Sequence, residues 1–503
     1  MKKVIVIGAG TAGLACAVRL LAAGYAVDIY EKNAIPGGKM HQIRKDGYTF
    51  DVGPTLVMMP SVYEDVFRAA GRDPADYLSM QPLDPMYTVY FDRPDHARYD
   101  VSSNLTTLMQ MLEARSSQTA SGFLHYLADI YDRYLVAVDH FITRPFRSRK
   151  DFYNLKTLRQ ALKLKTFDSA DHMMSRYLAD RDVRQMLSFQ TLYIGVSPQK
   201  GPSLYNIIPM IELMYGVWFL KGGMYSMAQA MTRLITEQGG RLHLQAEVEQ
   251  IVIENGRAAG VQVGGEFIPA DYVVSNADFP YTMTQLIRDP AAKGRYTDDK
   301  INRMDYSCSC LIFYWGMDRQ YPAVETHTFI VSADLDDNLT RIFDGRLMDD
   351  ASVYLSIPSR SDPDLAPEGK DAFYVLIPVS ELSTARYPYD EAAIAHYREG
   401  ALRKIERLPG CEKIREQIVS ESIMTPKDFE AKFSAYNGAT FGLQPTLRQS
   451  NHWRPQAKAS HCEGLYFTGS STHPGAGVPI VLQSGKICAE ELRRDNPEDA
   501  FDG

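Results

Sequence analysis

The sequence predicts an α/β protein built in several lobes, and three observations carry that expectation. A β-branched apolar tetrad, Val4-Ile5-Val6-Ile7, runs straight into a glycine-rich turn. A second strand, glycine turn and helix pattern begins at Leu465, close to the other end of the chain. The chain is 503 residues long, more than a single hydrophobic core organises.

Four consecutive β-branched residues suit a parallel strand covered on both faces. The turn that follows reads Gly8-Ala9-Gly10-Thr11-Ala12-Gly13, and an amphipathic helix with Leu14, Ala17, Val18 and Leu21 on one side comes next, with Gly24 placed as its C-cap. A second strand, Ala26 to Tyr30, ends at Glu31. Each part has a task in binding a dinucleotide. Gly8 allows the tight turn, Gly10 lets backbone approach a pyrophosphate, and Gly13 lets the helix pack on the strand. The helix N-terminus offers unpaired N–H groups and a partial positive charge to the phosphates. Glu31, 23 residues after Gly8, is spaced to hydrogen-bond ribose hydroxyls and would repel a 2′-phosphate. A bare G-x-G-x-x-G is weak evidence; strand, helix and acidic residue in register make it strong. At this point both FAD and NAD fit.

The C-terminal pattern is a strand, Leu465-Tyr466-Phe467-Thr468, ending in Gly469. Ser470 to Pro479 follows, and then helical spacing through Ile480, Leu482, Ile487 and Leu492. Pro479 suits a first helical turn, where its missing N–H costs nothing. His473 has only a proline and glycines as local context and reads either as a site residue or as a turn residue. A third segment, Leu242 to Ile251, alternates as one strand.

Charge and cysteines narrow the class. A net charge of −8 gives nucleic acid no global support. The six cysteines (Cys16, Cys308, Cys310, Cys411, Cys462, Cys488) lack Cys-x-x-Cys spacing, so neither a disulfide framework nor a metal site is expected. Glycines and Arg19 interrupt the apolar N-terminal stretch, which therefore reads as strand, turn and helix rather than a signal peptide, and the expected location is the cytoplasm. Ile207 to Leu220 is 14 residues long and contains Pro209 and Glu212, too short to span a bilayer, and is expected to line a tunnel.

Gly37-Gly38-Lys39, just after the second strand, resembles the extended motif of FAD proteins in the amine oxidase and desaturase superfamily, where Arg is usual in place of Lys39. Lys39 keeps the charge but loses the bidentate fork. Taken with Asp51-Val52-Gly53-Pro54-Thr55-Leu56-Val57-Met58-Met59-Pro60, Phe189 to Gly195, Gly201 to Tyr205 and Thr472 to Pro479, the chain resembles the bacterial carotenoid (phytoene) desaturase family from Val4 to about Ile487. Within that family it looks most like the branch acting on dehydrosqualene (4,4'-diapophytoene).

That resemblance implies FAD as the cofactor. It places Gly8 to Gly13, Glu31, Lys39, Gly53, Pro54, Thr55, Val248, Gly469, Ser470, Gly477, Val478 and Pro479 around the cofactor, with backbone at Val248 beside the adenine. Many relatives carry Asp where Ser470 stands, so that contact is made differently here. It implies a long apolar isoprenoid substrate, desaturated in successive hydride and proton removals towards 4,4'-diaponeurosporene. An allylic C–H is too weak an acid for a side-chain base alone, so a hydride sink must carry the reaction. No Ser/His/Asp or paired-carboxylate set stands out. Glu212, a charge in an apolar stretch, reads either as an aid to proton loss from a cationic intermediate or as a structural carboxylate paired with a neighbour.

The expected fold is a discontinuous Rossmann-like FAD-binding domain (1–75, 222–300 and 455–503), a mixed-sheet substrate domain (76–100 and 301–454) and a helical lobe (101–221). Tyr99 to Gln190 reads as mostly helical, and Tyr306 to Gly316 and Ala372 to Val379 read as strands. A lipophilic substrate requires contact with a membrane. The 22 residues from Arg144 to Lys165 hold eight basic side chains and one acid, Asp151, interleaved with apolar residues. This segment is the expected docking element, placing the protein peripherally on the inner face of the plasma membrane. Rival readings are an amine oxidase, a phytoene desaturase, a carotenoid oxidase or isomerase, and a flavin-free lipid-binding chaperone of the GDP-dissociation-inhibitor type.

Overall fold

The computed structural model describes residues 1–137 and 168–499. A five-stranded parallel sheet gathers distant parts of the chain in the order Leu465–Phe467, Tyr272–Ser275, Lys3–Ile7, Ala26–Tyr30, Arg241–His243. Lys3–Ile7 is central, and Val4, Ile5 and Val6 are fully buried, as expected of a strand covered on both faces. The helix Thr11–Ala22 crosses one face and packs on the C-terminal helix Val478–Asp495. Their approach is close: a Cβ at Gly485 would lie 2.6 Å from the Ala12 carbonyl oxygen.

A three-stranded antiparallel sheet, Val248–Glu254, Arg257–Val263 and Glu266–Pro269, flanks this layer. The alternation from Leu242 to Ile251 is two strands rather than one. The chain leaves Arg241–His243, turns through Gln245 with φ of 51°, and re-enters a different sheet at Val248. The Ala246 N–H donates to the Glu31 carbonyl and Gln245 N–H to that of Asn33, which anchors the turn.

A seven-stranded mixed sheet takes the order Ile418–Met424, Ser309–Met317, Ala372–Val379, Val353–Ser356, His327–Val331, Tyr87–Phe91, Arg98–Val101. One pair, His327–Val331 with Tyr87–Phe91, is parallel. The expected strand at Ala372–Val379 is present, and its partner runs Ser309–Met317, displaced from Tyr306–Gly316. All nine residues of Ser309–Met317 are buried.

Helices Leu105–Arg115, Ser117–Ala137, Ala170–Ser175, Arg181–Ser188 and Ile207–Tyr215 form the helical part. Tyr99, expected at the start of this helical region, is in a strand, and the first helix begins at Leu105, capped by Asn104. Ile207 to Leu220 is a helix to Tyr215 followed by a strand, Trp218–Leu220. Ile207, Met210, Ile211 and Leu213 fill the core beside Ser117–Ala137, and none of Ile207 to Leu220 lines the main cavity, contrary to the expected tunnel role. Among the described residues no helix is long and apolar enough to cross a membrane. The basic segment Arg144 to Lys165 lies outside the described residues.

Candidate active site

One continuous cavity runs from the C-terminal edge of the parallel sheet to the inner face of the mixed sheet. At the sheet end it is lined by Gly8, Gly10, Thr11, Ala12, Glu31, Gly38 and Lys39 from the start of the chain. Val248 and Asn276 come from the middle, and Gly469, Ser470, Gly477, Val478 and Pro479 from the end. Gly10 and Gly477, remote in sequence, thus border one space.

The glycine turn is built as its spacing predicts. Gly8 has φ of +89°, and its N–H donates to the Tyr30 carbonyl at 2.8 Å. At Gly13 a Cβ would lie 2.4 Å from the Gly8 carbonyl oxygen, so any side chain forces helix from strand. At Gly10 it would lie 2.6 Å from Asn276 Nδ2. The helix from Thr11 has Gly10 at its N-cap and no side-chain cap, and Gly10, Thr11 and Ala12 line the cavity. The C-terminal helix repeats the arrangement: Gly477 is its N-cap, no side chain caps it, Pro479 sits in its first turn, and Val478 and Pro479 line the cavity. A Cβ at Gly475 or Gly477 would meet nothing within 4 Å. Two uncapped helix N-termini and open glycine faces around one cleft fit an anionic, backbone-recognised group such as a pyrophosphate.

Glu31 is buried at the cavity edge. Its Oε2 accepts the Ala9 N–H at 2.8 Å, and its Oε1 accepts the Asn33 backbone and side-chain N–H groups at 2.9 and 2.8 Å. Three of about four carboxylate acceptor positions are therefore engaged, which leaves one for a ligand hydroxyl. Ala9 and Gly13 stand behind the lining, Gly13 donating to Asn276 Oδ1 at 2.9 Å. Lys39 Nζ donates to the carbonyl of Thr440, another lining residue, at 2.6 Å, and burial holds the ammonium below its ordinary pKa. Gly53, Pro54 and Thr55 form the adjoining wall. The Gly53 carbonyl accepts the Tyr374 hydroxyl at 2.8 Å, and Thr55 Oγ1 lies 2.6 Å from the Tyr354 hydroxyl. Asp51 of the same motif supports from behind, accepting the Met224 and Tyr225 N–H groups at the start of the helix Tyr225–Glu237. Burial raises its carboxyl to about 7. His473 is buried behind the second glycine loop, outside the lining, with its N–H donating to the Pro455 carbonyl.

Away from the glycines the cavity is apolar and aromatic. Phe189, Leu192, Tyr193, Cys308, Cys310, Ile312, Phe329, Val331, Leu335, Tyr354 and Leu376 line it. Glu212 lies one side chain behind this wall, fully buried, with Oε2 accepting from Tyr87 Oη at 3.1 Å and Gln190 Nε2 at 3.2 Å. Burial lifts its carboxyl to about 8. Its hydrogen-bond partners are neutral, and no salt bridge among the described residues reaches it.

Two residues central to this geometry escaped the sequence reading. Asn276, immediately after Tyr272–Ser275, joins Gly8 and Gly13 through its two amide atoms. Its only sequence signal is a Ser-Asn-Ala-Asp run at a strand end. Arg454 is fully buried and donates to the backbone carbonyls of Thr472, Gln449, Leu443 and Ser470, clamping the second glycine loop. Burial lowers its pKa to about 10.

A family model described as flavin containing amine oxidoreductase matches residues 11–493. The chain belongs to the flavin-containing amine oxidoreductase family. Within it, the chain is 46% identical over 498 residues to a 4,4'-diapophytoene desaturase (4,4'-diaponeurosporene-forming) of Staphylococcus aureus (strain Newman), covering 98% of this chain and 99% of the relative. That places it in the carotenoid-desaturase branch, as the motifs at Asp51 and Thr472 implied, and makes it an oxidoreductase that uses FAD. Among solved structures, an oxidoreductase from Methanosarcina mazei shares the fold with a TM-score of 0.64 at 17% identity, covering 98% of this chain and all of that one. Putrescine oxidase bound to putrescine does so with a TM-score of 0.63 at 13% identity, covering 98% and 99%. At these identities the likeness is one of fold alone.

Proposed function

We propose that this protein desaturates dehydrosqualene (4,4'-diapophytoene), extending its polyene towards 4,4'-diaponeurosporene. The observation that carries this is the cavity itself: a polar, glycine-lined end with two uncapped helix N-termini opens directly into an apolar aromatic chamber. The near-complete coverage by a relative named for that reaction agrees with it. FAD, when bound, supplies the two-electron acceptor that an unactivated allylic C–H requires.

In this reading Gly8, Gly10, Thr11 and Ala12 hold the pyrophosphate by backbone N–H groups, with Ala9 and Gly13 shaping the turn. Glu31 accepts from ribose with its remaining lone pair, and Val248 borders the adenine. Gly53, Pro54, Thr55, Lys39, Gly469, Ser470, Gly477, Val478 and Pro479 surround the rest of the cofactor. The aromatic chamber orients the hydrocarbon and excludes water. We divide the chain accordingly into a discontinuous cofactor domain, a mixed-sheet substrate domain and a helical lobe, within the bounds given above. Delivery of so apolar a substrate calls for a membrane surface. Arg144 to Lys165, with a local charge of +7 and interleaved Phe and Leu, is suited to an anionic inner leaflet at roughly 1 kcal/mol per basic residue at best.

The decisive assay is anaerobic incubation of the FAD-loaded protein with dehydrosqualene in liposomes, followed by visible polyene absorbance. New bands with dehydrosqualene are expected. Bands with phytoene alone would move the substrate to its longer relative, and none with either would refute desaturation. In liposome flotation, unchanged binding after charge reversal at Arg147, Arg149 and Lys150 would remove the docking role.

A further inference from the structure

A polar path leaves the apolar chamber at the point where it meets the cofactor end. Tyr354 and Thr55 both line the main cavity, and Thr55 Oγ1 lies 2.6 Å from the Tyr354 hydroxyl. On its other side that hydroxyl is 2.8 Å from His327 Nδ1. Behind this wall lies a second, separate void of about 10 Å³, room for about one water molecule. Thr55 and Tyr374 border both spaces and so form the partition between them. Ser356, 3.3 Å from the same His327 nitrogen, borders the void as well. Asp51 borders only the void. Its Oδ2 accepts the Met224 N–H at 2.7 Å and its Oδ1 the Tyr225 N–H at 3.1 Å. Each oxygen keeps a further lone pair, and the residue retains some accessible surface.

We propose that Tyr354 takes the proton lost in each desaturation and passes it by way of Thr55 and the void to Asp51. The proposal rests on the desaturase reading. There each new double bond removes from the hydrocarbon a hydride equivalent, delivered to the cofactor, and a proton from the neighbouring carbon. The electron pair of that second C–H bond becomes the π bond. Tyr354 Oη accepts the proton as its own O–H proton moves to Thr55 Oγ1. The Thr55 proton goes to a water in the void, and that water protonates Asp51, which returns the proton to solvent. A carbon next to an allylic cation is a strong acid, so a neutral hydroxyl serves as acceptor when onward transfer is concerted. Tyr354 is such a hydroxyl, because burial holds it above the ordinary phenol pKa. Asp51, at about 7, is a stronger base than His327, lowered to about 3. His327 therefore holds the hydroxyl in place without retaining the proton. The other carboxyl behind the wall, Glu212, is no outlet: it is fully buried and, raised to about 8, already carries its proton at neutral pH. Tyr354 alone touches the hydrocarbon; Thr55 and Asp51 act through it.

The test is a single anaerobic turnover of the FAD-loaded full-length protein with dehydrosqualene in detergent, following flavin bleaching and polyene absorbance together. In wild type the polyene signal should keep pace with bleaching. Tyr354→Phe keeps the ring stacked on Phe329 and removes only the hydroxyl; its polyene signal should lag bleaching ~100-fold. Asp51→Asn should lag ~10-fold, and its lag should lengthen in heavy water, because every relay proton exchanges with solvent. A merely structural defect would slow both signals alike. Polyene absorbance that keeps pace with bleaching in either variant, or an Asp51→Asn lag indifferent to heavy water, overturns the relay. Should Asp51→Asn not fold, Tyr354→Phe still decides. Neither bleaching nor new bands in wild type sinks the desaturase reading; matched signals in the variants of an active enzyme sink only the relay.

Discussion

Replacing Glu212 with glutamine is expected to remove a pH-dependent penalty from the fold. In the native chain the carboxyl is fully buried among Tyr87, Gln190 and Tyr193, and its pKa is raised from 4.5 to about 8. The native state thus holds a proton that the unfolded chain gives up above about 4.5. Stability contributed by this group is complete below the unfolded pKa and is lost as pH rises through 8, where the native state also ionises. At 1.36 kcal/mol per unit, the full span amounts to about 5 kcal/mol as an upper figure. For 503 residues, an unfolding entropy of roughly 2 cal/mol/K per residue converts that into a melting shift of about 5 °C. Asp51, raised to about 7, tilts stability the same way. His327, lowered to about 3, tilts it oppositely below its ordinary pKa. Both are present in either protein and cancel in the difference. The measurement is the thermal midpoint of wild type and Glu212→Gln from pH 5 to 9 at one scan rate. The variant should gain on wild type progressively between about pH 5 and 8. Two curves that stay parallel over this range would show that Glu212 is not held protonated, and the buried-carboxyl argument would fail.

Other perturbations probe the cofactor end. Gly13→Ala places a methyl 2.4 Å from the Gly8 carbonyl; overpacking of about 1–3 kcal/mol should weaken FAD roughly 10–100-fold, read by flavin fluorescence on titration. Arg454→Met leaves four loop carbonyls without their donor, and a loss of about 3–5 kcal/mol is expected. Its signature is flavin release at a lower temperature than global unfolding, and coincident transitions in both proteins would refute the clamp. Gly485→Val drives a branched side chain against the Ala12 carbonyl; soluble yield should fall, and protein that folds should load FAD substoichiometrically, measured by the ratio of flavin to protein absorbance.

The legible parts of this fold are those whose physics is local. Gly8, Gly10 and Gly13 serve a turn, a close approach and a packing contact within six residues, so spacing alone exposes them. Gly477 and Pro479 announce a helix start in the same way. Glu212 stood out because a charge inside an apolar run is visible without a structure, although its neutral partners Tyr87 and Gln190 come from distant segments. Asn276 and Arg454 carry no such mark. An asparagine after a strand and an arginine before a proline are ordinary surface residues until tertiary contacts bring Gly8, Gly13, Leu443 and Thr472 to them. The break at Gln245 was hidden because its positive φ occurs at a residue type that does not advertise it. The apolar run from Ile207 was misjudged for a related reason. Core-filling and cavity-lining segments have the same composition, and only the neighbouring helix Ser117–Ala137 decides between them.

Why both termini of so long a chain must meet follows from the cleft's chemistry. A single helix N-terminus offers about half a positive charge, against a dinucleotide whose phosphates lie at one end and whose reactive ring lies at the other. Here the helix from Thr11 addresses one part of the cleft and the helix from Val478 another, and the contact of Gly485 with Ala12 fixes the two starts relative to each other. The aromatic chamber hangs on the same frame, because Gly53 and Thr55 pass from the cofactor end to the hydroxyls of Tyr374 and Tyr354 in the mixed sheet. A change at this junction should therefore alter cofactor affinity and hydrocarbon binding together. Thr55→Val, which cuts the Tyr354 link while keeping the side-chain volume, tests the coupling. It should weaken binding of dehydrosqualene to FAD-loaded protein, read by quenching of intrinsic fluorescence, and shift FAD affinity in the same direction, and a change in one without the other would show that the two ends of the cavity are built independently.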